Sequence, residues 1–249
     1  MKFIVNADDC GYSAHVDEHI RNAIALGRVS STTVMANMAD FEGAVKMYAE
    51  LHDKASFGMH FNLTEGEPLL ENQELLDYGF YKTENGKVVF NGKMFKHKYL
   101  PKRIKEGIRM ELEAQLIKVL DSGIKVSHID SHHHVHTAPF ILPVVTGLAK
   151  QYGIKKIRKI NNRGFRNIKA FQFLWMQYVR ALAHLSTTTH FYGFDEFLEI
   201  AKTHCFPSES VIELMCHPGG KYHPDEETLV LRVDLKKQFD ADIINYNNL

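Results

Sequence analysis

The stretch HIDSHHHVH, from His128 to His136, holds five of the chain's 15 histidines and one aspartate. Imidazole both ligates metal ions and moves protons near neutral pH, so this concentration points to a metal site or a proton relay. In extended backbone alternate residues share a face. That would set His128, Asp130, His132, His134 and His136 on one side; if the strand ends near Ser131, only the first two or three keep the alternation. A His-x-Asp-x-His arrangement lets one imidazole bind an ion while a carboxylate holds a neighbouring ring in one tautomer. A closed structural zinc site would need a Cys/His quartet, which is not found here.

Three more stretches end an apolar run in ionisable groups. In NADDCG, Asp8 and Asp9 follow FIVNA. Adjacent buried carboxylates repel each other. A cation between them, or one ligating while the other acts as base, resolves this; a helix N-cap is the plain alternative. In MHFNLTEG, His60 sits where a strand should emerge and reads either as a ligand or as a satisfied core residue. Glu65 and Gly66 turn the chain there, and Glu65 reads as a ligand or, more ordinarily, as a solvated loop carboxylate. In CHPGGK, His217 is presented on a tight turn, or is a bystander in one. Cys216 reads as core and Cys10 as a small packing residue that could also approach a metal. Arg158, in KKIRKI, either positions a carboxylate or sugar or is a surface charge.

The elements that must position these groups alternate short apolar runs with helical periods. Strands are expected at 2–7, 31–37, 54–61, 124–130, 155–160 and 210–216. Helices are expected at 13–27, 40–52, 101–122, 139–152 and 167–185, followed by a helical and polar tail from 225. In 101–122, Ile104, Ile108, Leu112, Leu116 and Val119 recur at helical spacing and Gly123 is placed to end the run. Two Asn-Gly turn signals in YKTENGKVVFNGKMF mark a hairpin-like excursion around 79–98. Strand–helix alternation of this kind predicts an α/β fold with a largely parallel sheet, in a single domain over 1–249. A barrel or distorted TIM-type barrel of about seven strands is the expected form. Its strand C-termini would gather the ionisable groups at one rim.

Composition narrows the function classes. Apolar residues make up 45% and Lys+Arg balances Asp+Glu at 30 each, so no charge excess argues for nucleic acid or a membrane surface as partner. Three scattered cysteines suit a reducing compartment rather than a disulfide framework. The N-terminus does not read as a signal peptide, and no apolar run reaches the roughly 18 residues of a membrane span. A cytoplasmic protein is expected.

In their order, NADDCG, HFNLTEG, HIDSHHHVH and CHPGG resemble the YdjC-like carbohydrate deacetylase family, which includes chitooligosaccharide deacetylases. The resemblance runs from residue 3 to about residue 220. Cys10 departs from it, standing where an aromatic such as Phe is expected. The 79–98 segment does not align by motif, so substrate selectivity is not carried over. The resemblance implies a seven-stranded barrel-like deacetylase with one divalent cation, Mg2+ or Zn2+, acting on an acetylated oligosaccharide. It implies Asp9, His60 and His132 as metal ligands, Asp8 as base and His217 as acid. Asp130, His128, Arg158 and His134 would orient that machinery or meet substrate. A homodimer is in keeping with the family. Two imidazoles and one carboxylate favour zinc or another late transition metal by intrinsic affinity, while the resemblance brings in magnesium beside it.

Rival readings are a metal-dependent phosphoesterase, a glycoside hydrolase using Asp8 or Asp9 with Asp130, and a non-catalytic metal- or sugar-binding protein. The last has no use for a spare Asp and His beside filled ligands.

Overall fold

The computed structural model describes residues 1–93, 100–160, 169–222 and 224–249. Six parallel strands form the main sheet in the order β6-β3-β2-β1-β8-β7, and a seventh, β9, pairs with β1. They are β1 (Lys2–Cys10), β2 (Ser31–Val34), β3 (Ser56–Phe61), β6 (Ile129–Ser131), β7 (His190–Gly193), β8 (Val211–Cys216) and β9 (Asp242–Ile243). A two-stranded antiparallel hairpin, β4 (Tyr81–Glu84) and β5 (Lys87–Phe90), stands apart. The expected hairpin is therefore present around the first Asn-Gly, with Gly86 at φ +77. Part of the expected excursion, 94–99, lies outside the described residues.

β1 is central. It runs parallel to β2 on one side and to β8 on the other, and Phe3 to Ala7 are fully buried. This is why it reads as a continuous apolar run rather than an alternation. Helices cover the sheet. On α1 (Ala14–Ala25) Ser13 caps the start by accepting from Val16 N–H at 3.3 Å, and Val16, Ile20, Ala23 and Ile24 are buried. α2 (Phe41–Leu51) follows β2. α3 (Gln73–Asp77) precedes the hairpin, and α5 (Leu142–Gln151) follows the histidine-rich turn.

α4 (Lys102–Asp121) buries the five apolar residues expected of it, with Gly123 at φ +88 beyond its end. Its buried face also carries Glu111 and Gln115, which the apolar period does not register. Glu111 accepts from the Leu69 and Leu70 N–H groups at 3.0 and 2.8 Å, and Gln115 exchanges two hydrogen bonds with the Asn62 backbone at 2.8 and 3.0 Å. The helix thus pins the loop that leaves β3 toward the rim.

Several expectations are corrected. The strand expected over 124–130 is only Ile129–Ser131. The one expected over 155–160 contributes single bridges, Ile129 to Ile157 and Lys156 to Ser186. β7, the following α7 (Phe194–Ile200) and β9 were not anticipated. The 167–185 helix is α6 (Lys169–Gln177) running into a wider turn over Tyr178–Leu182, and 167–168 lie outside the described residues. The tail forms α8 (Glu226–Arg232) and α9 (Leu235–Phe239) before β9. The sheet is a curled half-barrel of six to seven strands, since past β6 regular pairing gives way to those isolated bridges. No helix among the described residues is long and apolar enough to cross a membrane.

Candidate active site

The C-terminal ends of β1, β3, β6 and β8 meet at one cavity of about 400 Å³. Asp8, Asp9, His60, His132, His134 and His217 all line it, along with Tyr12, Glu65, His133, Lys221 and Tyr222. Adjacent residues of a strand normally point to opposite faces, yet Asp8 and Asp9 both face this cavity. The backbone explains how. Asp9 takes φ +67, and the β1–β2 register breaks between Ala7 and Cys10. A left-handed aspartate costs on the order of 1 kcal/mol or more, and the strain falls on a residue that faces the site.

Asp8 is clamped. Arg158 donates Nη1 to its Oδ2 and Nη2 to its Oδ1, both at 2.6 Å, and Asn6 Nδ2 donates to Oδ1 at 2.8 Å. The same guanidinium gives Nη1 to Asp130 Oδ2 and Nε to Glu213 Oε1, each at 2.7 Å. Arg158 is 0% exposed. It is a buried hub for three carboxylates, and the surface-charge reading is overturned. Burial alone would raise the Asp8 carboxyl, but Arg158 holds it well below the ordinary carboxylate range. Glu213 goes the other way: burial pushes it up to about 7 despite Arg158.

His60, at the end of β3, lies in register with Asp130 on β6. Its Nδ1 is 2.6 Å from Asp130 Oδ1, and Thr33 Oγ1 on β2 lies 3.1 Å from that same nitrogen and 3.1 Å from Asp130 Oδ2. A carboxylate on Nδ1 sets the tautomer and leaves Nε2 with its lone pair outward. His60 Nε2 is 3.2 Å from Asp9 Oδ1, and His132 Nδ1 is 2.8 Å from the same oxygen. Burial lowers the affinity of both rings for a proton. The carboxylates outweigh it: Asp130 carries His60 up to about 10 and Asp9 carries His132 up to about 9.

The histidine-rich stretch does not stay extended. Past Ser131 the chain coils over His132–Thr137, and His133 and His134 adopt φ +51 and +54. The one-sided alternation is lost there, as expected of a strand that ends near Ser131. His132 faces Asp9, and His134 lines the cavity with its ring edge-on to Phe191. Burial carries His134 down to about 3. His136 is tied to Ser131 Oγ at 2.6 Å. His128 is not a cavity residue: it is buried, bonded to Ser127 Oγ and stacked on Tyr246 at 3.5 Å. Cys10 is fully buried in the core.

His217 follows β8. Glu226 on α8 accepts from its backbone N–H at 2.9 Å and sits 3.1 Å from its Nδ1. Burial disfavours the imidazolium, but Glu226, helped by Asp8 and Asp9, shifts the ring upward in net. Sequence reasoning missed Glu226, Glu213, Thr33 and Tyr246. Only Glu213 carried a signal, as the single charge inside an apolar strand.

Asp9, His60 and His132 each offer one ligand atom, all within 4.8 Å of one another. Among the described residues the buried His60 Nε2 makes no directed hydrogen bond, which is the condition of a ring nitrogen built for an ion. The donor set fits a divalent cation with open positions. A second group, Asp8, His60 and Asp130, is equally close, but Arg158 Nη1 already lies between the two carboxylates.

These features define a class: an α/β protein whose half-barrel rim gathers a His/Asp cluster with metal-site geometry beside a carboxylate and an imidazole each held by a charged partner. The description "YdjC-like protein" matches residues 2–243. The chain belongs to that family, as its motifs led one to expect. Similar curated proteins are a "Carbohydrate deacetylase" of Brevibacillus brevis, 35% identical over 88% of this chain and 82% of that one, and another of Clostridium beijerinckii, 33% identical over the same shares. The fold matches a crystal structure from Enterococcus faecalis described as a putative cellobiose-phosphate cleavage protein. Its TM-score is 0.79 at 23% identity, over 99% of this chain and 98% of that one.

Proposed function

We propose that this protein hydrolyses N-acetyl groups from acetylated sugars, chito-oligosaccharides or related N-acetylglucosamine compounds, with one divalent cation held by Asp9, His60 and His132. One observation carries the proposal: ligand atoms from β1, β3 and the turn after β6 converge around a single point in a cavity. The names of the relatives supply the substrate class. The imidazole pair favours Zn2+; the family resemblance brings in Mg2+ beside it.

When bound, the cation supplies Lewis acidity toward water and toward an amide carbonyl oxygen. The chain's own residues do the rest. Asp8 accepts a proton from the attacking water. Arg158 and Asn6 hold both its oxygens in place, and the guanidinium favours its ionised form. His217 donates a proton to the departing amine. Glu226 on Nδ1 fixes its tautomer and favours the protonated ring. Asp130 orients His60. A glycoside hydrolase pairing Asp8 with Asp130 is disfavoured, because both carboxylates are tied to one guanidinium. Measuring released acetate, reducing ends and phosphate from one purified sample tests the proposal. Acetate alone, abolished by a chelator and restored by Zn2+ or Mg2+, is expected; reducing ends or phosphate instead would refute it.

A further inference from the structure

Two of the three histidines given a role above have on one ring nitrogen a carboxylate that is not itself a proposed ligand: Asp130 on His60 and Glu226 on His217. His132 turns Nδ1 to Asp9, and its Nε2 is buried without a hydrogen-bond partner among the described residues. The polar atom facing that nitrogen is Glu65 Oε1, at 3.7 Å.

Glu65 is not a loosely solvated loop residue. Asn62 Oδ1 accepts from the Thr64 and Glu65 N–H groups at 3.0 and 3.2 Å, and Asn62 Nδ2 donates back to Glu65 O at 2.7 Å. Asn37 Nδ2 donates to the same carbonyl at 3.2 Å. Asn62 is itself held by Gln115 of α4. Gly66 follows at φ +74, where a Cβ would meet Met38 Sδ at 2.9 Å, so the turn admits glycine there and little else. The carboxylate is held as well: Tyr12 donates its hydroxyl to Oε2 at 3.2 Å. That leaves Oε1 directed at His132. From α4 through Asn62 to Glu65, the loop is built to present one oxygen.

We propose that Glu65 is a positioning residue for the cation site: its Oε1 accepts the Nε2–H of His132, which directs the Nδ1 lone pair to the ion, and Tyr12 sets the Glu65 rotamer. This rests on the metal reading above. Glu65 would do for His132 what Asp130 does for His60, across a longer contact of 3.7 Å. Glu65 also lies 3.9 Å from His133 Nε2, so Glu65, His132 and His133 form a group of ligand-like spacing. The positioning role is favoured because a His132 that ligates through Nδ1 carries its proton on Nε2 and has no second lone pair to give.

The test is Zn2+ affinity and stoichiometry of the full chain, measured by competition with a chelator, together with ¹⁵N spectra of the imidazoles. Glu65→Ala is expected to weaken Zn2+ binding by about 10–100-fold while the metal-free thermal midpoint stays at the wild-type value. Glu65→Gln, whose amide oxygen still accepts the bond, should recover most of the affinity. Tyr12→Phe should give a smaller loss. The zinc-loaded wild type should show His132 protonated at Nε2, with that proton exchanging faster in Glu65→Ala. Equal affinity in wild type and Glu65→Ala overturns this proposal alone. So do two bound ions in wild type falling to one in Glu65→Ala, because Glu65 would then be a ligand. A wild type that binds no ion overturns the metal reading with it.

Discussion

Arg158 Nη1 joins Asp8 to Asp130, lying 2.6 Å from Oδ2 of the first and 2.7 Å from Oδ2 of the second. One buried cation therefore fixes both the proposed proton acceptor and the carboxylate that orients His60. Position of the proposed base and grip on the proposed ion would then be set by the same side chain.

Removing that cation should cost stability before it costs anything else. Arg158→Met leaves Asp8, Asp130 and Glu213 buried without their common partner, and losing one member of a buried ion pair typically costs about 3–5 kcal/mol. Denaturant unfolding should show a loss of that size. Arg158→Lys keeps the charge but not the two-pronged fork to Asp8. It should fold closer to wild type and still lose most of its turnover.

Asp8 and His217 should separate chemistry from binding. In the metal-loaded protein, Asp8→Asn and His217→Ala are each expected to lower kcat by about 10²–10⁴-fold, with Zn2+ affinity within a few-fold of wild type. A non-catalytic binding protein would show no turnover in wild type and unchanged affinities throughout.

Asp130→Ala should act on the ion. Without the carboxylate on Nδ1, His60 loses its fixed tautomer, and metal affinity should fall by about 10–100-fold. Competition titration reads this directly, with no substrate present.

The histidine shifts give a pH dependence of known sign. Burial opposes protonation, but Asp130 and Asp9 outweigh it, so the metal-free rings titrate near 10 for His60 and near 9 for His132. A protonated imidazole cannot ligate, so Zn2+ affinity should strengthen as pH rises and level off above about 10. Stability of the metal-free chain should move the opposite way. These folded-state values lie above the unfolded value of roughly 6.5. The stabilisation is thus complete below that pH and lost as pH rises through 9 to 10. Chemical denaturation of the chelated protein at pH 6.5, 8 and 9.5 should show the decline.

Much of the rim was legible because an apolar run that stops at an ionisable residue marks a strand C-terminus. NADDCG, MHF and VIELMCH all behaved this way. The 101–122 helix was legible because its period is long and its cap residues fit. Arg158 was legible only as one of two readings, because a basic run such as KKIRK looks solvated until three carboxylates from β1, β6 and β8 are folded around it. Glu226 lies on a helix nine residues past His217, and nothing local joins the two. The alternation stops where the strand ends at Ser131, with left-handed turns at His133 and His134 beyond it; His134 still reaches the cavity, while His136 turns back to Ser131 Oγ. β7 and β9 were missed because four- and two-residue strands carry too little pattern, and β9 exists only through its pairing with β1.

A crystal soaked in Zn2+ or Mn2+ and measured at the metal's absorption edge tests the cation site most directly. One anomalous peak per chain is expected, about 2.0–2.2 Å from Asp9, His60 Nε2 and His132 Nδ1, with Arg158 still between Asp8 and Asp130. A metal-replete crystal of protein that releases acetate, with no peak at those three side chains, would contradict it.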